Sequence, residues 1–142
     1  MEFRILHWRK KYDKKEIKKE YVTWQMVDDF CDMLVSTYWN TDVPGVYGIP
    51  RGGSILAVII SHRLHIPMLA SPVAGCLIVD DICDTGESLL HYIKNSSALN
   101  KPIYRIATMY YKENQLGVKP DIYGYNKEDK WTVFPWEDLK EV

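Results

Sequence analysis

The sequence predicts an α/β fold, an open and mostly parallel sheet flanked by helices, in a single domain spanning 1–142. Two observations carry this expectation. Short apolar runs of strand length alternate with stretches of helical periodicity, and such alternation builds parallel sheets with helical crossovers. Three polar clusters (Arg51-Gly52-Gly53, Asp80 to Ser88, and Lys112) also stand directly after apolar runs. That is where open parallel sheets collect their ligands.

The elements follow in chain order. Thr23 is a suitable N-cap, and apolar residues recur at 24, 27, 30, 31, 34, 35 and 38, a helical spacing that stops near Asn40. GVYGI (45–49) reads as a short buried strand, a Gly-Gly turn follows, and SILAVIISHRL (54–64) reads as a helix. IPMLA (66–70) and CLIVD (76–80) read as strands, with a helix from about 86 to 94 after the second. IYRIATMYY (103–111) and DIYGY (121–125) read as further strands, and WTVFPW (131–136) as a last extended segment.

Composition bounds the function classes. With 142 residues, 46% hydrophobic and 26% charged, the chain fits one compact domain. A formal net charge of -1 gives no overall field for nucleic acid or a membrane surface. Residues 9–19, RKKYDKKEIKK, are nevertheless strongly basic. A solvated N-terminal segment (1–20) accounts for this run, and a nucleic-acid or partner contact is the other reading. Cys31, Cys76 and Cys83 lack CxxC spacing and are odd in number, so neither a zinc site nor a disulfide framework is expected. No run approaches the ~18 apolar residues that cross a bilayer. FRILHWRKK lacks the apolar core of a signal peptide. The expected compartment is a reducing cytoplasm.

The chemistry concentrates in CLIVDDICDTGESL, residues 76–89. Thr85, Gly86, Glu87 and Ser88 lie between a strand and a helix start. Free backbone N–H groups and the positive helix end make an anion cradle there, to which the Thr and Ser hydroxyls add donors. Asp80 and Asp81 repel phosphate but suit sugar hydroxyls or a hydrated magnesium ion. Asp84 stands where a carboxylate meets a developing cation or takes a proton. Phosphate, vicinal hydroxyls and an electrophilic carbon together describe a ribose 5-phosphate.

LIVDDICDTGESL resembles the phosphoribosyl-pyrophosphate (PRPP) signature of type I phosphoribosyltransferases: an apolar run, two acids, two variable residues, then Asp-Thr-Gly. The resemblance extends to the 6-oxopurine branch. EYVTWQMVDDF (20–30) looks like its opening helix, GIPRGGSILAVIISHRLHIPML (48–69) like its pyrophosphate-loop segment, and YYKENQLGVKPDIYGYNKEDKWTVFPWEDL (110–139) like its base-binding end.

The resemblance implies flavodoxin-like strand order with a reduced or absent hood, magnesium as cofactor, and PRPP and a purine base or nucleoside monophosphate as ligands. It further implies purine salvage as the setting and a homo-oligomer as the assembly. Position by position, it assigns Asp80 and Asp81 to the ribose hydroxyls, with Asp81 also near magnesium. Asp84 faces the reacting centre, and Thr85, Gly86, Glu87 and Ser88 wrap the 5-phosphate. Arg51 with the Gly52 amide binds pyrophosphate, and the Pro50–Arg51 peptide bond is cis. Lys112 donates to the purine O6, Trp131 stacks on the base, and the Thr132 backbone reads its edge. Glu137 or Asp138 closes the site near the metal or the purine amino group.

One feature departs from that family. Its members place a long, mobile lid between the strands corresponding to IPMLA and CLIVD, but here only SPVAG (71–75) intervenes. If both strands flank GVYGI in parallel, the return path is roughly 18 Å, from a rise of ~3.3 Å per residue and spacings of ~4.8 Å. Five residues barely reach, so the strand at 66–70 is expected to be truncated. Three readings follow: a 6-oxopurine phosphoribosyltransferase; a lid-less nucleotide- or PRPP-binding regulatory protein; or a hydrolase or phosphorylase acting on a ribosyl phosphate.

Overall fold

The structure, a computed structural model, describes residues 18–98 and 104–137. Most of the basic run, Ile103 and Asp138 lie outside them. The elements are β1 (Lys19–Tyr21), α1 (Trp24–Tyr38), β2 (Val46–Gly48), α2 (Gly52–Leu64), β3 (Leu77–Cys83), α3 (Glu87–Ala98), β4 (Arg105–Tyr111), β5 (Ile122–Asn126) and β6 (Trp131–Val133). Four strands form the main sheet in the order β2-β3-β4-β5, every pair parallel. Met68 adds a single parallel bridge on the outer side of β2, at Val46. Counting that bridge as a vestigial strand, the order is flavodoxin-like, and its switch point falls between β2 and β3.

Alternation along the central strands divides the core into two layers. Leu77 and Val79 of β3, with Ala107 and Met109 of β4, face α1 and α2, where they meet Phe30, Leu34, Leu56 and Ile60. Ile78 and Ile106 face the other way, into a second layer with Cys76, Leu89 and Tyr104. Fully burying each large apolar side chain contributes about 1.5–3 kcal/mol. With both faces covered, β3 and β4 read as continuous apolar runs rather than alternating ones. Thr23 caps α1 as expected, its Oγ1 accepting from the Met26 N–H at 3.1 Å.

The strand at 66–70 is truncated, as expected from the five-residue return, to the Met68 bridge, held by Val46 N–H to Pro67 O (2.9 Å) and Leu69 N–H to Val46 O (2.8 Å). The short return through Ser71 to Gly75 forces this, turning at Gly75 with φ +77°. Several boundaries differ from the sequence reading, each for a local reason. Helix α2 begins at Gly52, earlier than the expected 54, because both glycines of the supposed turn are helical. Strand β3 runs to Cys83 rather than stopping at 80, so Asp80 and Asp81 lie within the sheet. The segment 131–136 is a strand only over Trp131–Val133. It pairs not with the main sheet but with β1, which the sequence reading missed.

Two close approaches lock α2 onto the sheet. A Cβ on Gly48 or Gly53 would come closer than 3.0 Å to backbone atoms, the Gly53 carbonyl in the first case and the Val79 carbonyl in the second. Glycine at these positions brings the start of α2 down against β3 beside Asp80.

Candidate functional site

The site forms at the carboxyl ends of β2, β3 and β4, at the switch point. After β2 the chain passes through a cis Pro50–Arg51 peptide bond into α2, as the resemblance implies. Exposed Arg51 stands at the N-cap of α2. Gly52 lies against the Asp81 carboxylate so closely that a Cβ there would overlap Asp81 Oδ2. The Arg51-Gly52 turn and Asp81 are therefore direct neighbours.

Asp80 is 7% exposed. Its Oδ1 accepts from the Asp81 N–H at 2.8 Å, and Asp81 Oδ1 accepts from the Ile82 N–H at 2.8 Å. Burial, followed by the neighbouring charge of Asp81, pushes the Asp80 carboxyl up to about 8. The folded chain thus holds a proton that the unfolded chain releases near the ordinary carboxylate pKa of about 4. Its contribution to stability is therefore present below about pH 4 and is lost as pH rises towards about 8. Asp80→Asn, which removes the charge without vacating the space, is expected to raise the melting temperature at pH 8 in ligand-free protein, with little change at pH 4. Thermal melts at the two pH values check this, and a destabilised variant at pH 8 would refute the assignment.

Beyond β3, the chain turns at Gly86 (φ +84°), packed against Val118, and enters α3 at Glu87. Thr85 Oγ1 accepts from the Glu87 N–H at 3.4 Å. Residues Asp84 to Ser88 line a hollow of about 310 Å³ at this helix start, suited to a small anion. Asn114 shapes the facing loop, its amide donating to Val118 O (2.7 Å) and its Oδ1 accepting from Val118 N–H (3.0 Å). Cys83 is no nucleophile here, since burial pushes its thiol up to about 11.

A larger cleft of about 580 Å³ gathers Asp81, Asp84, Lys112, Trp131, Thr132 and Glu137. Trp131 begins β6, 39% exposed at the cleft. Thr132 is buried and its hydroxyl donates to Glu20 Oε1 on β1 at 2.6 Å. Trp131 N–H donates to Lys18 O and Val133 O accepts from Val22 N–H, the residues flanking β1, so in a parallel ladder the intervening backbone groups of Thr132 point to the opposite edge. Lys112 follows β4 and donates to Asp129 Oδ1 at 2.7 Å. Trp136 serves packing instead, stacked on Phe134 at 4.9 Å and tilted against Trp24. Asp84 borders both hollows and also a third, of about 650 Å³, against the 113–116 loop. Asp81, Asp84, Lys112, Trp131, Thr132 and Glu137 meet in the cleft and Thr85 to Ser88 in the hollow at the α3 start, while Gly52 abuts Asp81, and Asp80, buried in β3, and Arg51 line neither.

The acids fit a magnesium ion. Burial raises the Glu137 carboxyl and the charge of Asp81 raises it further, so these two cleft-lining carboxylates carry mutual repulsion that a cation would relieve. Among the described residues no three His, Cys, Asp or Glu side chains form a metal cage. Magnesium needs none, being held by one or two carboxylates together with substrate phosphates and water.

Neither a family sequence model nor a curated protein matches the chain. Solved structures do. A purine phosphoribosyltransferase from Pyrococcus horikoshii Ot3 is 30% identical, with a TM-score of 0.72 over 87% of this chain and 97% of that one. The chain belongs to the type I phosphoribosyltransferase family. A Helicobacter pylori xanthine-guanine-hypoxanthine phosphoribosyltransferase (TM-score 0.66, 15% identity, 84% of this chain and 94% of that one) shares the fold. So does a Neisseria gonorrhoeae hypothetical protein with bound ppGpp (TM-score 0.68, 17% identity, 89% and 93%). Among the described residues of this phosphoribosyltransferase-family chain, no helix is long and apolar enough to cross a membrane.

The sequence reading missed two partners in the site. Glu20 holds the Thr132 hydroxyl and Asp129 holds Lys112. Both arrive from segments remote in sequence or in a charged turn, where no local pattern marks them.

Proposed function

We propose that this phosphoribosyltransferase moves the 5-phosphoribosyl group of PRPP to a 6-oxopurine, giving the nucleoside monophosphate and pyrophosphate. The observation that carries the reading is the position of Asp84, which borders the hollow at the α3 N-terminus and the Trp131 cleft at once. A ribose bridging the two would present its anomeric carbon between them. The Thr85–Ser88 turn would hold the 5-phosphate through backbone N–H groups and hydroxyls. Asp80 and Asp81 would accept from the ribose hydroxyls, and Arg51 with the Gly52 amide would bind the departing pyrophosphate. Trp131 would stack on the purine, the Thr132 backbone would read its edge, and Lys112 would donate to O6. Asp84 would stabilise the positive charge growing on ribose and purine as the glycosidic bond to pyrophosphate breaks. Asp81 and Glu137 would hold magnesium, which supplies charge neutralisation for the leaving pyrophosphate. The 30% identity to a protein named as a purine phosphoribosyltransferase supports the substrate class.

Incubation with magnesium, PRPP and each of guanine, hypoxanthine, xanthine and adenine, following pyrophosphate release, tests this. Turnover with a 6-oxopurine and not with adenine is expected. Turnover confined to adenine would contradict the role of Lys112.

A further inference from the structure

Lys112 does not face the base cleft as an unbalanced cation. Its ammonium donates to Asp129 Oδ1 at 2.7 Å, and that carboxylate comes from the turn between β5 and β6. The turn is tied to itself. Lys127 donates to the Glu128 carbonyl at 2.6 Å and to the Lys130 carbonyl, while Lys130 pairs with Glu128 at 2.9 Å. Asp129 is the turn's side chain that reaches across to Lys112, just beyond β4. The cleft is also lined by Lys127, Glu128 and Lys130 of this turn, with both ammonium groups engaged within the turn, and by three further acids, Asp81, Asp84 and Glu137.

We propose that Asp129 determines specificity among the 6-oxopurines, favouring the neutral rings hypoxanthine and guanine over xanthine. The inference rests on reading the cleft as a 6-oxopurine site. An ammonium has three donors, so Lys112 keeps donors for O6 while bound to Asp129. In a neutral 6-oxopurine the O6 acceptor stands beside an N1–H donor, and the Lys112–Asp129 pair offers the complementary donor and acceptor side by side. Xanthine gives up a ring proton near neutral pH, and its nucleotide does so more readily. The resulting anion meets a lysine whose charge is already balanced and a carboxylate beside it.

Calorimetric titration with inosine and xanthosine monophosphates at pH 7.5 tests this without needing turnover. Wild type is expected to bind the inosine nucleotide about tenfold more tightly, the scale of one charge–charge repulsion at a partly screened site. In Asp129→Asn that ratio should collapse towards unity through tighter xanthosine monophosphate binding, and in Asp129→Glu it should persist. Raising the salt concentration should shrink the wild-type ratio. An equal affinity for both nucleotides in wild type, or a ratio unchanged in Asp129→Asn, overturns the role of Asp129 and leaves the 6-oxopurine reading standing. Binding of neither nucleotide overturns both. Asp129 is 92% exposed at its side chain, so its substitution leaves the core untouched.

Discussion

Asp84→Asn is expected to slow phosphoribosyl transfer by about 10²–10³-fold while sparing nucleotide binding. The side chain is exposed at the meeting point of three hollows, and Asn keeps its size while removing its charge. The 5-phosphate would still find the backbone N–H groups and hydroxyls of Thr85 to Ser88, which the substitution does not touch. The loss should therefore fall on kcat, with the nucleoside monophosphate dissociation constant shifting far less. Steady-state rates beside nucleotide titration separate the two. Turnover surviving in the variant would remove Asp84 from the chemistry and return the motif to an acidic, capped helix start.

Gly53→Ala is expected to destabilise the fold by about 1–3 kcal/mol, through overpacking. Intrinsic propensity argues the reverse, since Ala in a helix interior gains roughly 1 kcal/mol over Gly. Here packing decides. The added Cβ would come closer than 3.0 Å to the Val79 carbonyl and crowd the Asp80 Cα. Strand β3 cannot yield, being bonded to β2 on one side and β4 on the other. Helix α2 must lift instead, carrying Gly52 away from Asp81, so pyrophosphate or PRPP affinity should fall with stability. Urea denaturation measures the first effect and PRPP titration the second. A variant as stable as wild type would show that the helix–strand spacing is not fixed by Gly53.

Where periodicity and packing agree, the sequence was legible. Helix α1 buries Val27, Phe30, Cys31 and Leu34 on the face its spacing marks, behind the Thr23 cap. The acids and the small-residue turn of 80–88 sit together at the switch point because one strand and one loop carry them all. Local pattern fails where distant chain decides. Strand β1 is KEY, three residues without apolar alternation, and it is a strand only because β6 pairs with it. IPMLA has strand composition, and only the length of the 71–75 return, not its local pattern, foretells its reduction to a single bridge. Asp129 and Glu20 look like solvated surface charges until the fold sets Lys112 and Thr132 against them. The raised carboxyl of Asp80 likewise depends on β3 continuing past it into a buried position.

Phosphoribosyl transfer is tested most directly by base-dependent pyrophosphate release from PRPP with magnesium and hypoxanthine, scored against the nucleotide formed. Inosine monophosphate and pyrophosphate are expected in equal amounts, with release falling to background when the base is omitted. Tight nucleotide binding with no release from any base would contradict transfer and assign this chain to the lid-less binding proteins. Release that proceeds equally without base would make it a hydrolase.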